Sequence, residues 1–268
     1  MHFEKDNTFE IHMLVAGLSD DDAEKTWEPF RQFVAGSPSE LQVLEPIRVG
    51  TTAARNWWDT EWRRKHTPDV MTSDPRPGAP LSNMWWSDNT GECNAYLYGY
   101  ESLWLRQSLL GDPDRLAGAV FEASRHFEVQ FHINKGLAGA PPPAIAAARE
   151  TATNPAVLDA FTLVIIATGA PQANPGVPGH EPDLVRGKAD AGAITAAADA
   201  LRALVPDAGS YANESNYFER NFQKSYWGAS NYARLCEVKK QYDPDGLFFV
   251  HNGVGSEAWS ADGFTRRA

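Results

Sequence analysis

Between Glu128 and Gly136 the sequence alternates strictly, placing Gln130, His132 and Asn134 on one face of an extended strand and Val129, Phe131 and Ile133 on the other. Two carboxamides flanking an imidazole form a row of hydrogen-bond donors and acceptors able to line a substrate pocket. The same row serves equally as the solvated face of a half-buried sheet. Other chemistry-bearing patterns are missing. There is no glycine-rich phosphate loop ending in Gly-Lys, no Gly-x-Ser-x-Gly elbow, no His-Glu-x-x-His and no Cys-x-x-Cys. Ser256 follows the second glycine of Gly253–Glu257 and does not lie between two. The seven histidines are scattered, with none one helical turn from another, so no metal site is expected.

The elements that would position that row are read from periodicity and caps. Phe9–Gly17 alternates and then runs apolar, as a strand does, and a helix capped by Ser19 follows, with acids in its first turn and a stop at Gly36. Leu41–Val49 reads as extended. Thr51–His66 reads as helix, with Trp58 and Trp62 on one face. Its basic end, Arg63 to His66, is expected in solvent. Trp57, Trp58, Trp62, Trp85 and Trp86 suit core layers or a ringed pocket wall.

Cys93–Leu105 mixes aromatic and small residues and fits either state. Asp112 and Pro113 open a helix. Pro141–Pro155 holds another, and Ala160–Gly169 is a buried strand. An alanine-rich helix ends before Pro206. Proline and glycine mark loops at Thr67–Pro80 and Ala170–Asp183. Strands and helices alternate roughly, and the alternating strands point to an α+β fold: an antiparallel sheet with helices on one face. No linker divides the chain into independent domains.

Composition bounds the partners. Hydrophobic residues are 43% of 268, a globular content. A net charge of −11 argues against nucleic acid, whose phosphates it would repel. No stretch resembles a signal peptide or spans a bilayer, so no membrane is expected and the chain reads as cytoplasmic. The two cysteines, Cys93 and Cys236, read as free thiols.

The last forty residues are ordered in character. Tyr232, Leu235, Val238 and Tyr242 form one helix stripe, Asp243-Pro244 ends that helix, Gly246 permits a turn, and Leu247–Val250 reads as a short strand. Trp227-Gly228, Asn231-Tyr232, Arg234-Leu235, Val238-Lys239, Tyr242-Asp243-Pro244 and Phe248 together closely resemble the C-terminal signature of berberine-bridge-enzyme-like FAD-linked oxidases, in the vanillyl-alcohol-oxidase superfamily. Tyr211 and Asn213 match the Tyr-x-Asn stretch just before it. The resemblance runs from about Phe127 to Phe264.

That resemblance implies a substrate domain over 1–210, an antiparallel sheet of about seven strands backed by helices. It implies a berberine-bridge-like segment over 211–268 whose helix, turn and strand pack on an FAD-binding domain. No stretch of the first hundred residues resembles such a domain, so a separate FAD-binding domain or subunit is the expected partner. The implied chemistry is oxidation of an alcohol, amine or C–H centre of a small molecule, with hydride passing to FAD and dioxygen as acceptor. Tyr211 is then the candidate base. Asn213, Asn231, Tyr232 and His251 are candidate flavin contacts, and Gln130, His132 and Asn134 candidate substrate contacts. Tyr211 also suits a core tyrosine, and the asparagines also suit local turns. His251 stands where many relatives carry glutamine. The rival reading is a binding or scaffold protein that keeps the fold without the cofactor.

Overall fold

A computed structural model describes residues 1–74, 76–87, 96–169, 176, 178–179 and 181–267. Cys93 and part of the second Pro/Gly stretch lie outside them. The strands are β1 (His2–Phe3), β2 (Phe9–Glu10), β3 (Met71–Ser73), β4 (Met84–Trp86), β5 (Leu97–Arg106), β6 (Val129–Ile133) and β7 (Ala160–Gly169). The α-helices are α1 (Asp20–Ala35), α2 (Thr60–His66), α3 (Pro113–His126), α4 (Pro142–Arg149), α5 (Leu184–Leu204), α6 (Phe222–Trp227) and α7 (Ala229–Tyr242). Contacts divide the chain into two compact units, Met1–Ile11 with Asn94–Ala268, and His12–Cys93.

The larger unit is built on one antiparallel sheet of order β2-β1-β6-β7-β5. The fold is α+β with an antiparallel sheet, as expected, although this sheet has five described strands where about seven were anticipated. Helices α3 and α5 cover one face. Leu103, Leu105, Val129, Phe131, Val164 and Ile166 point into that layer and meet Val120, Ala123, Ile194, Ala197 and Leu201. Each fully buried branched side chain contributes about 1.5–3 kcal/mol. The alanine content of α5 lets it approach closely. A Cβ at Gly99 of β5 would lie 2.9 Å from Ile194 Cδ1 and 3.2 Å from Ala191 Cα.

The caps behave as read. Ser19 Oγ accepts from Asp22 N at 3.2 Å at the start of α1, and Asp112 accepts from Arg115 N at the start of α3. Three strand expectations fail. Past Glu10 the Phe9–Gly17 run is not a strand, and Leu41–Val49 is irregular. Leu247–Val250 forms no strand either, since among the described residues no strand pairs with it.

In the smaller unit β3 and β4 form an antiparallel pair. Trp58 falls before α2 and is largely exposed, so it shares no helix face with Trp62. Arg63 is not solvated but only 8% exposed. Its guanidinium lies 4.6 Å from the Trp57 ring and 4.5 Å from that of Trp86, two rings stacked 6.0 Å apart. The guanidinium lies over both rings and is attracted to their negative faces. Among the described residues no helix is long and apolar enough to cross a membrane.

Candidate active site

The sheet face away from α3 and α5 carries the polar row. Across three strands, Trp104 pairs with Leu163 and Leu163 with His132, and Ser102 pairs with Ile165 and Ile165 with Gln130. Trp104, Leu163 and Ile165 are buried there, packed with Tyr100, Ala167, Val157 and Tyr211. Two nitrogens on this face, Trp104 Nε1 and His132 Nε2, are buried without a hydrogen-bond partner. Such orphans are uncommon in folded proteins, and they fit a face that receives a ligand or ordered water. Burial, with the chain's N-terminal charge, lowers the His132 pKa against the opposing pull of Glu214. The imidazole is therefore held toward its neutral form.

Gln130 is half-buried, and its Nε2 donates to Glu128 Oε1 at 3.1 Å. Asn134 leaves the row. It lies beyond the end of β6 with φ +69°, and its side chain is exposed. An asparagine tolerates that left-handed conformation, and the strand's two-residue period ends where it occurs.

The segment 209–216 runs along the outer edge of β5. Trp104 N donates to Gly209 O at 3.0 Å, and Tyr211 N donates to Ser102 Oγ at 3.0 Å. Ser102 and Ser210 share a buried hydroxyl contact of 2.8 Å. Asn154 Nδ2 bridges Ser210 O at 3.1 Å and Ser225 O at 2.7 Å. Residues 211–214 then make a tight turn, closed by Glu214 N donating to Tyr211 O at 3.0 Å. The Tyr211 ring meets Trp104 edge-on, with centroids 6.2 Å apart. Asn213 Nδ2 donates to Tyr211 Oη at 3.0 Å. The phenol, the Asn213 amide, Glu214 and the sheet row with His132 thus gather on one side of the molecule. Trp104, Ser102 and Glu214 are absent from the residues the sequence singled out. Alternation of Tyr100, Ser102 and Trp104 would reveal two of them once β5 is known to be a strand.

The remaining candidates lie in the C-terminal segment and bond to other parts of the chain or within the segment. Asn231 Nδ2 donates to Thr153 O at 2.9 Å. Tyr232 is buried among Phe222 and Trp227. Its hydroxyl donates to Glu257 Oε2 at 2.6 Å and accepts from Gly255 N at 3.0 Å. Burial, then the bond to Glu257, pushes the Tyr232 pKa far up. His251 stacks on Tyr217 with centroids 3.9 Å apart, and its Nε2 donates to Tyr217 O at 2.8 Å. Asn252 Nδ2 donates to the same carbonyl at 3.0 Å. These groups brace the tail against residues 217–228. Asn231 Nδ2, the Tyr232 hydroxyl and His251 Nε2 are thus engaged with protein partners. The Tyr211–Asn213 pair and the two orphaned nitrogens are groups whose chemistry suits a ligand on this side of the sheet.

After α7, Asp243 accepts from Leu247 N at 2.7 Å and Phe248 N at 3.1 Å, and Lys239 Nζ donates to Phe248 O at 2.8 Å. This fixes the turn and leaves the side chains of Leu247 (81%), Phe248 (73%), Val250 and Tyr242 in the open. Among the described residues one group of three metal-ligand types exists, His2, Glu4 and Glu128 at the sheet edge, tied by a 2.8 Å His2–Glu128 ion pair.

The architecture defines a class. It superposes with a TM-score of 0.56, at 16% identity, on the crystal structure of the VAO-type flavoprotein MtVAO713 from Myceliophthora thermophila C1, covering 91% of this chain and 37% of that one. The fold is that of a VAO-type flavoprotein. Residues 210–255 match the family described as berberine and berberine like. Similar curated proteins include an uncharacterized FAD-linked oxidoreductase of Arthroderma benhamiae, 52% identical over 66 residues. Another is the VAO-type flavoprotein oxidase VAO615 of Thermothelomyces thermophilus, 48% identical over 62 residues. These alignments cover 25% and 23% of this chain but only 11% of either relative. The chain carries the berberine-like segment of FAD-linked oxidoreductases on a VAO-type fold.

Proposed function

We propose that this chain is the substrate-domain part of a flavin-dependent oxidoreductase that oxidises an alcohol, amine or C–H centre of a small molecule. The observation that carries the reading is the Tyr211–Glu214 turn. It lies inside the berberine-like match and presents a phenol beside the ligand-facing side of the sheet. FAD supplies the hydride acceptor when bound, and dioxygen takes the electrons onward.

This chain supplies orientation and proton transfer. Entering the step as its phenolate, Tyr211 Oη takes the proton that a substrate hydroxyl or amine releases as its hydride departs, and becomes the neutral phenol. The Asn213 amide donates to that same oxygen, where negative charge resides when the phenol serves as base. Trp104 and Leu163 form the apolar floor under the substrate, and neutral His132 offers a hydrogen bond at its side. An FAD-binding domain, in the same protein or another, holds the flavin. The exposed Leu247, Phe248 and Val250 supply an apolar contact for it.

The test is anaerobic addition of alcohols and amines to the flavoprotein that contains this chain. Bleaching of the flavin absorbance with a subset of them is expected. A flavin that no such compound reduces overturns the proposal.

A further inference from the structure

β5 is an edge strand, and the 209–216 segment is fastened to both of its faces. On the ligand-facing side the fastener is Ser102, through the Tyr211 amide. On the helix-covered side it is the next residue back, Glu101, which pairs with Ile166 of the core layer and is only 3% exposed. Glu101 Oε2 accepts from Arg202 Nη2 at 2.6 Å, and Oε1 accepts from Asn216 Nδ2 at 2.7 Å. Arg202 comes from α5, whose neighbouring Leu201 is fully buried in the core. Asn216 stands two residues past the end of the Tyr211–Glu214 turn, and its Oδ1 accepts from Phe218 N at 2.8 Å.

Burying a carboxylate can cost more than one ion pair returns, and an apolar set in place of Glu101 and both its partners would avoid that cost. What the carboxylate adds is direction. It has two oxygens, one taken by a fixed helix and one by the 209–216 strap. Its charge makes the Asn216 bond shorter and stronger than an amide–amide contact. The strap therefore has one register along β5 in which both Ser102 and Glu101 are satisfied.

We infer that Glu101 is a positioning residue: anchored by Arg202, it holds Asn216 so that the turn presents Tyr211 against Trp104. This rests on the proposed role of Tyr211, but the two claims fail separately. The chemistry is judged by flavin reduction and the positioning by the shape of the strap.

The test uses the full chain labelled with 3-fluorotyrosine, together with amide hydrogen exchange. The Tyr211 fluorine signal is the one lost in Tyr211→Phe. Glu101→Gln keeps the size of the side chain and removes its charge. The Tyr211 signal is expected to move toward the free-tyrosine position, and amides of 209–216 to exchange at least ten-fold faster. Amides of β7 and α5 keep their rates. Adding Asn216→Asp to Glu101→Gln sets a carboxylate opposite the new amide N–H, which restores a charge-assisted bond across the same contact and is expected to pull the signal back. Should Glu101→Gln be insoluble, Asn216→Leu breaks the same contact from the strap side, with the same local loosening expected. A Tyr211 signal and strap amides unchanged in these variants overturn the inference. So does acceleration of β7 and α5 by the same factor, which would make the contact a support of the whole fold.

Discussion

Ser102 and Tyr211, 109 positions apart, are joined by a 3.0 Å hydrogen bond from the Tyr211 amide to the serine hydroxyl. One serine thereby fixes where the candidate base enters the site. Its hydroxyl also meets Ser210 Oγ, and both serines are buried. Ser102→Ala leaves the Tyr211 amide and the Ser210 hydroxyl short of a partner, at a cost of about 1–3 kcal/mol. Urea unfolding should show this loss with an unchanged m-value, and Ser102→Thr should recover part of it.

Tyr232 gives the molecule an alkaline limit. Its phenol is held protonated in the folded chain by burial and by Glu257, whereas an unfolded tyrosine titrates near 10. The folded pKa is the higher one, so the contribution is complete below pH of about 10 and is lost as pH rises past it. Melting temperature should be flat with respect to this group up to pH ~9 and fall beyond. Tyr232→Phe should lower the plateau and flatten that alkaline fall.

The approach of α5 to β5 permits no side chain at Gly99. Gly99→Ala must push against Ile194 and the α5 backbone, and overpacking of this kind costs about 1–3 kcal/mol. Thermal unfolding reads the loss. Gly99→Ala combined with Ile194→Val, which removes the methyl in the way, should restore part of it.

Leu247 and Phe248 are ordered in backbone and bare in side chain, which suits a surface meant to be covered. The chain produced alone should carry little flavin and self-associate with rising concentration in sedimentation velocity. Leu247→Ser with Phe248→Ser should reduce that association and leave the melting temperature nearly unchanged, since neither side chain is buried. A yellow, strictly monomeric chain contradicts this.

Several elements were legible in the sequence because a single local rule decided them. β6 alternates, β7 is continuously apolar, and α1 and α3 carry side-chain caps that bond as expected. β5 was ambiguous because Glu101 through Leu105 are buried on both faces, which erases the two-residue period. The apolar Leu247–Val250 run looked like a strand, but a strand needs a pairing edge, and a run of side chains cannot supply one. The site was only partly legible. Gln130 and His132 share a face as the alternation required, while one left-handed residue removed Asn134. Asn231, Tyr232 and His251 found partners up to 78 positions away, which no local pattern encodes.

The most direct test of the account is stopped-flow flavin reduction in the complete flavoprotein carrying Tyr211→Phe. Loss of a general base predicts reduction slowed by about 10²–10⁴-fold, with substrate binding little changed. A Tyr211→Phe protein whose flavin is reduced as fast as the parent's would contradict the assignment of this turn as the catalytic edge of the site.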